Sequence, residues 1–177
     1  MDFMDVILAR KSIRGYADKA VEEEKLSKVL EVARLAPSWA NKQCCRYIVV
    51  KDKAKIQELS ERFGWLKQAP VIVVACADPK DSGDRNGMNY FLVDVGISMQ
   101  QLVLAATALE LGTCWIGAFD EAKVKKALQV PENIKVVAMT PLGYPADKEG
   151  IGSKLIKTAI GSGKRKPLEE IVHLEKW

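Results

Sequence analysis

The sequence has little of what the commonest catalytic centres are made from. It contains one histidine, His173, and four cysteines that form no Cys-x-x-Cys pair. A Cys/His metal site therefore lacks its usual ligand spacing, and a Ser-His-Asp triad has only this one histidine as a base. We expect no metal, and we interpret the thiols as small buried hydrophobic groups in a reducing compartment. These are Cys44, Cys45, Cys76 and Cys114.

The sequence also lacks a targeting or membrane signal that composition would reveal. No apolar stretch looks long enough to span a bilayer, and Asp2 and Asp5 stand where a secretory signal would be apolar. We therefore expect a cytoplasmic protein that does not bind membranes. With 177 residues, 48% of them hydrophobic, and no internal repeat, the chain predicts a single domain spanning 1–177.

A long stripe of positive charge is missing as well. The chain has 27 basic and 23 acidic residues, a formal net charge of +4, and most cations alternate with acids. Two short basic clusters are the exceptions, at 10–14 and at 164–166. A module that binds nucleic acid through its two ends remains an alternative, but aromatic residues are not interleaved with these cations, and we expect no nucleic acid.

The first basic cluster has the composition of a phosphate site. Arg10 and Arg14 are four residues apart and would share one face of a helical turn, with the Ser12 hydroxyl between them. Two guanidinium groups and a hydroxyl supply the charge-assisted hydrogen bonds that a phosphate dianion accepts. The alternative is a solvated basic face at a helix end. The cluster at 164–166 follows a flexible Gly-Ser-Gly run, and we hypothesise that both clusters converge on one anion.

The loop at 37–43 carries amides and a hydroxyl in front of a predicted strand. Asn41 and Gln43 each offer a donor and an acceptor, which suits the edge of a heterocycle. The alternative for each is an ordinary turn or cap. Trp39 could stack on a planar ligand or cover the core, and core packing is its default interpretation.

Hydrophobic periodicity predicts helices that alternate loosely with strands. The predicted helices span 2–10, 22–35, 53–63, 89–111 and 122–128, and the predicted strands span 46–50, 71–76, 113–117 and 135–145, with an extra strand possible at 171–174. The run 71–76 is apolar throughout, so we expect helices on both faces of its sheet. The long helix is apolar almost all round, which places it in the core or in a subunit interface. This pattern favours a layered α/β or α+β sandwich.

Five motifs in order resemble the nitroreductase family over nearly the whole chain. They are Arg10-Lys11-Ser12-Ile13-Arg14, Ala36 to Gln43, Leu111 to Gly117, Pro141 to Pro145 and Lys164 to Glu170. The resemblance implies an α+β (α/β sandwich) fold with a mixed central sheet flanked by helices. It also implies an intertwined homodimer with flavin mononucleotide (FMN) at the subunit interface, and a tail, 146–177, that packs on the partner.

The resemblance further implies the chemistry and the residues that carry it. Hydride would pass from NADH or NADPH through FMN to a small organic acceptor, nitroaromatic or quinone-like, in a ping-pong cycle. No catalytic side chain is implied, because FMN carries the reaction. For the phosphate the implied residues are Arg10, Lys11, Ser12, Arg14, Lys164 and Arg165. For the ring they are Pro37, Ser38, Trp39 and Asn41 of the partner subunit, Gln43 as a weaker candidate, and Ile116 and Gly117 along the ring.

Three departures from the family pattern leave the substrate open. Trp39 stands where a small residue is more common, Cys44-Cys45 replace a common Pro-Trp pair, and the 78–89 loop is short. A bulky indole would narrow the pocket, whereas a short loop would open it. Two alternatives share every motif: a flavin-binding or storage protein with little turnover, and an FMN enzyme for another reduction, such as dehalogenation or activated-alkene reduction.

Overall fold

The computed structural model describes residues 2–147 and 163–177. Its helices are α1 (Phe3–Ala9), α2 (Glu23–Arg34), α3 (Lys53–Leu59), α4 (Tyr90–Ala108) and α5 (Glu121–Leu128). Its strands are β1 (Cys45–Val50), β2 (Val71–Ala77), β3 (Asp84–Arg85), β4 (Met88–Asn89), β5 (Gly112–Thr113) and β6 (Lys135–Gly143). The predicted α+β architecture is confirmed.

The central sheet is built around β2. All seven residues of β2 are buried, and the strand order is β1-β2-β6-β5. These strands pair antiparallel: Val50 lies opposite Ile72, and Val71 lies opposite Leu142. A parallel bridge between Ser12 and Thr113 extends the sheet beyond β5 and makes its pairing mixed.

Helices cover both faces of this sheet, as the apolar run predicted. Side chains alternate along a strand, so Val73 packs with α2 and α4, while Val74 packs on the other face with α3 and α5. Helices α3 and α5 begin at acidic caps that satisfy free backbone N–H groups: the Asp52 carboxylate accepts from Lys55 N at 2.9 Å, and Asp120 accepts from Ala122 N at 3.0 Å. A strand buried on both sides therefore fixes a three-layer arrangement.

Helix α4 contains a longer apolar stretch than the sequence analysis predicted. We expected no stretch long enough to span a bilayer, yet α4 is long and apolar enough to do so by length and composition. Its inner side packs in the core through Val95, Met99 and Leu102, which are fully buried. The expectation that no stretch is long and apolar enough was therefore wrong. The core helix of a globular domain has the same length and composition, so this property alone does not place α4 in a membrane. The inner side of this helix is therefore part of the core. Its N-terminal half also exposes Leu92 and Val93, so a role in a subunit interface stays a prediction.

Several predicted elements are shorter than the periodicity suggested. The strand at 113–117 is reduced to β5 and a single bridge between Ile116 and Met139. The helix at 53–63 ends at Leu59, and a 3-10 helix, Gly64–Gln68, follows it. The extra strand at 171–174 was wrong, since a 3-10 turn, Leu168–Glu170, precedes irregular chain there. The Gly161-Ser162 part of the predicted linker lies outside the described residues.

The packing of β5 against the N-terminal segment generates a prediction. A methyl group added at Gly112 would lie 2.7 Å from Ile13 Cγ1, whereas one added at Gly64 meets nothing within 4 Å. Because Ile13 is buried, Gly112→Ala should lower the free energy of unfolding by about 1–3 kcal/mol through overpacking. Urea unfolding at a fixed protein concentration measures this, and Gly64→Ala is the matched control. Equal midpoints for both variants would contradict the close packing at β5.

Candidate functional site

The phosphate-like cluster lies on a segment that runs beside β5. Helix α1 ends at Ala9, and Ile13 N then donates to Thr113 O at 2.8 Å. Residues two apart lie on the same side of such an extended segment. Arg10, Ser12 and Arg14 therefore share a side by strand-like alternation and not by the helical turn that the sequence argument used.

A second observation places these three side chains near the same thiol. Burial raises the pKa of the Cys114 thiol, and the Arg14 charge, a hydrogen bond with Ser12 and the Arg10 charge oppose that rise. All three groups therefore lie within electrostatic range of one buried sulfur that follows β5.

Arg14 is the most informative member of this cluster. Only 9% of the residue is exposed, and its Nη1 atom is buried without a hydrogen-bond partner among residues 2–147 and 163–177. A buried guanidinium donor that is left unpaired costs free energy, and native proteins rarely tolerate one without a reason. An anion beside Arg14 would supply Nη1 with an acceptor.

The remaining predicted phosphate residues are placed differently. Lys11 is exposed and alternates away from Ser12 along the segment. Every residue from 163 to 177 is exposed, including Lys164 and Arg165. The guanidinium of Arg165 donates to Lys164 O at 2.8 Å, a contact within the tail itself. The structure of one chain thus does not bring Lys164 or Arg165 to the Arg10–Arg14 cluster.

The ring loop, defined here as residues 37–43, has an unusual backbone. Ala40, Asn41 and Gln43 all have positive φ, at 45°, 55° and 54°. Such left-handed conformations are strained for residues other than glycine and persist only where surrounding contacts hold them. Gln43 N donates to Ser38 Oγ at 2.9 Å, which closes the loop on itself. Pro37, Asn41 and Gln43 are exposed, so the loop presents its outer edge to a ligand or a partner.

Trp39 folds back onto its own chain. Its ring lies 4.0 Å from the Tyr90 ring, centroid to centroid, and a methyl group at Gly83 would lie 2.2 Å from the indole Nε1. The indole therefore packs under the 78–89 loop, in keeping with its default interpretation. That loop contains a hairpin, β3 and β4, whose Asn86-Gly87 turn has positive φ at both residues, as a tight hairpin requires.

Sequence reasoning missed the residue that holds the ring loop. Asp94 of α4 is 2% exposed, and its carboxylate accepts a hydrogen bond from Trp39 N at 2.8 Å. It also accepts from Ser82 Oγ at 2.9 Å and from the Cys44 thiol at 3.3 Å. A signal was available, because Asp94 is the only charged residue in the 19 residues of α4. A lone carboxylate on an apolar helix must find partners when it is buried.

Two open spaces border the predicted ring contacts. A cavity of about 240 Å³ lies beside Pro37, Ser38 and Gln43, at the end of α2. On the other side of the molecule, Gly117 is exposed, and a methyl group there would meet nothing within 4 Å. Ile116 before it is buried and is hydrogen-bonded to Met139 in both directions. The backbone is therefore held in the sheet at Ile116 and is accessible to a ligand at Gly117.

Within one chain, these features form two separate groups. Gly117 follows Thr113 by four residues, so it lies within about 14 Å of the Arg10–Arg14 cluster's strand. The ring loop enters β1 at Cys45, which pairs with Ala77, whereas β5 is aligned with Val71 at the opposite end of β2. Six residues along a strand span about 20 Å, and three strand spacings span about 14 Å. The ring loop and the phosphate-like cluster thus occupy diagonal corners of the sheet.

The side chains of both groups are suited to binding and not to covalent catalysis. Burial raises the pKa of Cys44 to about 12 and that of Cys76 to about 11, and it also raises the pKa of Cys45 and Cys114. All four thiols therefore stay protonated near neutral pH and are poor nucleophiles. The guanidinium groups, hydroxyls and backbone amides that remain can orient a ligand and stabilise its charge.

Comparisons with known proteins agree with this geometry. Residues 7–65 and 60–144 match the model of the nitroreductase family. A nitroreductase family protein from Clostridium difficile 630 is 32% identical, with a TM-score of 0.86 and 100% of each chain covered. An FMN-dependent nitroreductase from Clostridium difficile R20291 is 28% identical, with a TM-score of 0.79 over 99% of this chain and 100% of that one. An FMN reductase [NAD(P)H] from Bacillus subtilis is 32% identical over 170 residues, which cover 85% of this chain and 68% of the relative.

Proposed function

The chain belongs to the nitroreductase family, and from that premise we propose that it reduces a small nitroaromatic or quinone-like acceptor at FMN sites shared by two subunits. The chain is an FMN-dependent NAD(P)H oxidoreductase, like the relatives that it matches. Its acceptor, its dimeric state and the roles of its individual residues are the proposal. A reaction that consumes reduced nicotinamide also agrees with a place in the cytoplasm.

The single observation that carries the proposal is the unpaired guanidinium of Arg14. An FMN phosphate is a dianion, and Arg14 Nη1 is a buried donor without a partner beside Arg10 and Ser12. A phosphate at this place would accept charge-assisted hydrogen bonds from both arginines and from the hydroxyl. The residues present therefore fit the group. Lys164 and Arg165 would join them only if the tail packs against a phosphate site, on this subunit or its partner.

The diagonal separation of the two groups supports a shared site. An FMN molecule held by Arg10, Ser12 and Arg14 would extend along 116–117, where the backbone is open. The ring loop of the same subunit leads into β1, three strand spacings, or about 14 Å, across the sheet from β5. Pro37, Ser38, Trp39 and Asn41 would contact the ring of an FMN held by the other subunit, with Gln43 at the edge of that contact. A homodimer satisfies both requirements at two equivalent sites.

Exposed apolar surface indicates where the second subunit would pack. Helix α1 exposes Phe3, Met4 and Leu8, and α4, which α1 contacts, exposes Leu92 and Val93. The tail adds further apolar side chains, among them Leu174 and a fully exposed Trp177. Exposed apolar side chains of this size are typical of subunit interfaces when they lie together. A tail that packs on the partner would bury it.

The protein would contribute orientation and electrostatics to the reaction. Bound FMN supplies the redox chemistry, accepting hydride from the nicotinamide and returning electrons to the acceptor. The arginines anchor one end of the cofactor, and the backbone at 116–117 and the partner's ring loop fix its ring. Raised thiol pKa values keep the cysteines out of the reaction. A storage protein would keep every binding contact but turn over slowly.

The first test is the visible spectrum of the purified protein during anaerobic addition of NADH and then NADPH. We expect flavin absorption that bleaches with one donor or both and returns when a nitroaromatic or a quinone is added. Flavin that stays oxidised with both donors would favour the storage alternative. A protein reoxidised only by an organohalide or an activated alkene would replace the acceptor named here by that class.

The anchoring role of Arg14 predicts a selective loss of cofactor affinity. Arg14→Ala removes charge-assisted hydrogen bonds of about 2–4 kcal/mol, so the Kd of FMN should rise about 30- to 1000-fold. Equilibrium dialysis against FMN measures the Kd. The fold should tolerate the change far better, because the apoprotein loses an unpaired buried donor. Lys11→Ala, on the exposed side of the same segment, is the control and should bind within a few-fold of wild type. If Arg14→Ala retains a full flavin complement after purification, the phosphate assignment is wrong.

A shared site predicts that two defective subunits complement each other. A subunit with Arg14→Ala lacks the phosphate anchor, and a subunit with Asn41→Ala lacks a ring contact. In a mixed dimer, one site combines both defects and the other combines neither. Co-expression of differently tagged chains and isolation of the heterodimer should therefore restore about half of the wild-type flavin content. If each site came from a single chain, both sites of the heterodimer would stay defective.

A further inference from the structure

We propose that Asp94 is a positioning residue for the flavin, because it fixes the strained ring loop in the shape that contacts the ring. This inference rests on the proposed function. Asp94 is buried beneath the loop, and it would act through the loop and not by contact with the cofactor. Its carboxylate lies in the core side of α4, and the loop lies on the surface above it.

The contacts of Asp94 come from three residues in two stretches of the chain. Oδ1 accepts from Trp39 N in the ring loop, and Oδ2 accepts from Ser82 Oγ in the 78–89 loop. The thiol of Cys44, where the ring loop joins β1, donates to Oδ2 as well. A buried carboxylate requires such donors, so the chain cannot release one segment without leaving the acid underpaired.

The Cys44 contact has a fixed direction. The pKa of this thiol is raised to about 12, chiefly by burial and then by its hydrogen bond to Asp94. It therefore remains an S–H donor across the physiological pH range. Cys44 stands at the first position of the pair that is commonly Pro-Trp in the family. Its thiol supplies a third hydrogen-bond donor to the Asp94 carboxylate, which a proline could not do.

The backbone of the ring loop needs this support. Three of its residues hold left-handed conformations, and three hydrogen bonds join the loop only to itself: Gln43 N to Ser38 Oγ, Asn41 N to Ser38 O and Lys42 N to Trp39 O. Among the described residues, the hydrogen bond from Trp39 N to Asp94 is the one that joins the loop backbone to a helix. Without it, only bonds within the loop would hold these conformations.

The same carboxylate couples the ring loop to the 78–89 loop. Ser82 is buried on Asp94, Lys42 Nζ donates to Ser82 O at 3.3 Å, and the Trp39 indole closes over Gly83. The two loops consequently form one unit with Asp94 at its centre. A cofactor ring that binds against the ring loop meets a surface that is already ordered, which lowers the cost of binding.

Asp94→Asn tests this role, because the amide keeps the size of the side chain and can still accept from Trp39 N, but its nitrogen cannot accept from Ser82 and Cys44. At a temperature well below unfolding, we expect the Kd of FMN to rise at least tenfold. We also expect the visible circular dichroism of the residual bound flavin to change. Ser82→Ala, which removes one donor only, should change both in the same direction by a smaller factor.

Ser60→Ala is the matched control. Ser60 is also buried and hydrogen-bonded, to Ile56 O, but it lies on the far side of the sheet. It should lower the unfolding midpoint and leave the Kd and the dichroism unchanged. Trp39→Phe keeps the backbone N–H and should bind FMN more tightly than Asp94→Asn does.

The possible results distinguish the positioning role of Asp94 from the proposed function. If wild-type protein binds FMN and Asp94→Asn binds it with the same Kd and dichroism, the positioning role is overturned while the proposed function stands. If Asp94→Asn only lowers stability, as Ser60→Ala does, the role is again overturned. If Asp94→Asn does not fold, Ser82→Ala decides between the same two results. Wild-type protein that binds no FMN would overturn the proposed function and this inference with it.

Discussion

Burial of β2 on both of its faces is the constraint on which the rest of the structure depends. Seven consecutive residues without exposed surface require helices above and below, and the chain supplies α2 and α4 on one side and α3 and α5 on the other. With both faces of the sheet covered, polar ligands can be bound only at its ends and edges. The two groups of site residues lie there, one beside β5 and one before β1.

Two buried charged side chains, Asp94 and Arg14, differ in how well their hydrogen bonds are satisfied. Asp94 and Arg14 are similarly buried, but the carboxylate has three donors, whereas one guanidinium nitrogen has no acceptor. A satisfied buried charge stabilises the fold that surrounds it, and an unsatisfied one destabilises that fold until a partner arrives. The fold itself therefore satisfies the Asp94 carboxylate, whereas Arg14 Nη1 has no acceptor among the described residues.

The sequence predicted the elements that strong periodicity defines and the family that ordered motifs define. The fold class, the helices around Leu26 and Val124, and the strand at 71–76 followed from apolar spacing and acidic caps. The phosphate role of Arg10, Ser12 and Arg14 stays a prediction, and these residues share a side through an extended segment and not through a helical turn, because residues four apart also share a side as two steps of two. Asp94 was missed because its partners, Ser82 and Trp39, are 12 and 55 residues away, and no local pattern encodes such contacts.

The shape of the single chain also bears on why this fold would assemble in pairs. One protomer holds the Arg10–Arg14 cluster beside β5 and the strained ring loop before β1, at opposite edges of its sheet. In the proposed homodimer, a two-fold axis would bring each loop to the other chain's cluster without moving either element. Because each element is held by contacts within its own subunit, assembly would have little left to order. In such a dimer, cofactor binding and subunit association would stabilise each other, since each FMN would bridge two rigid surfaces.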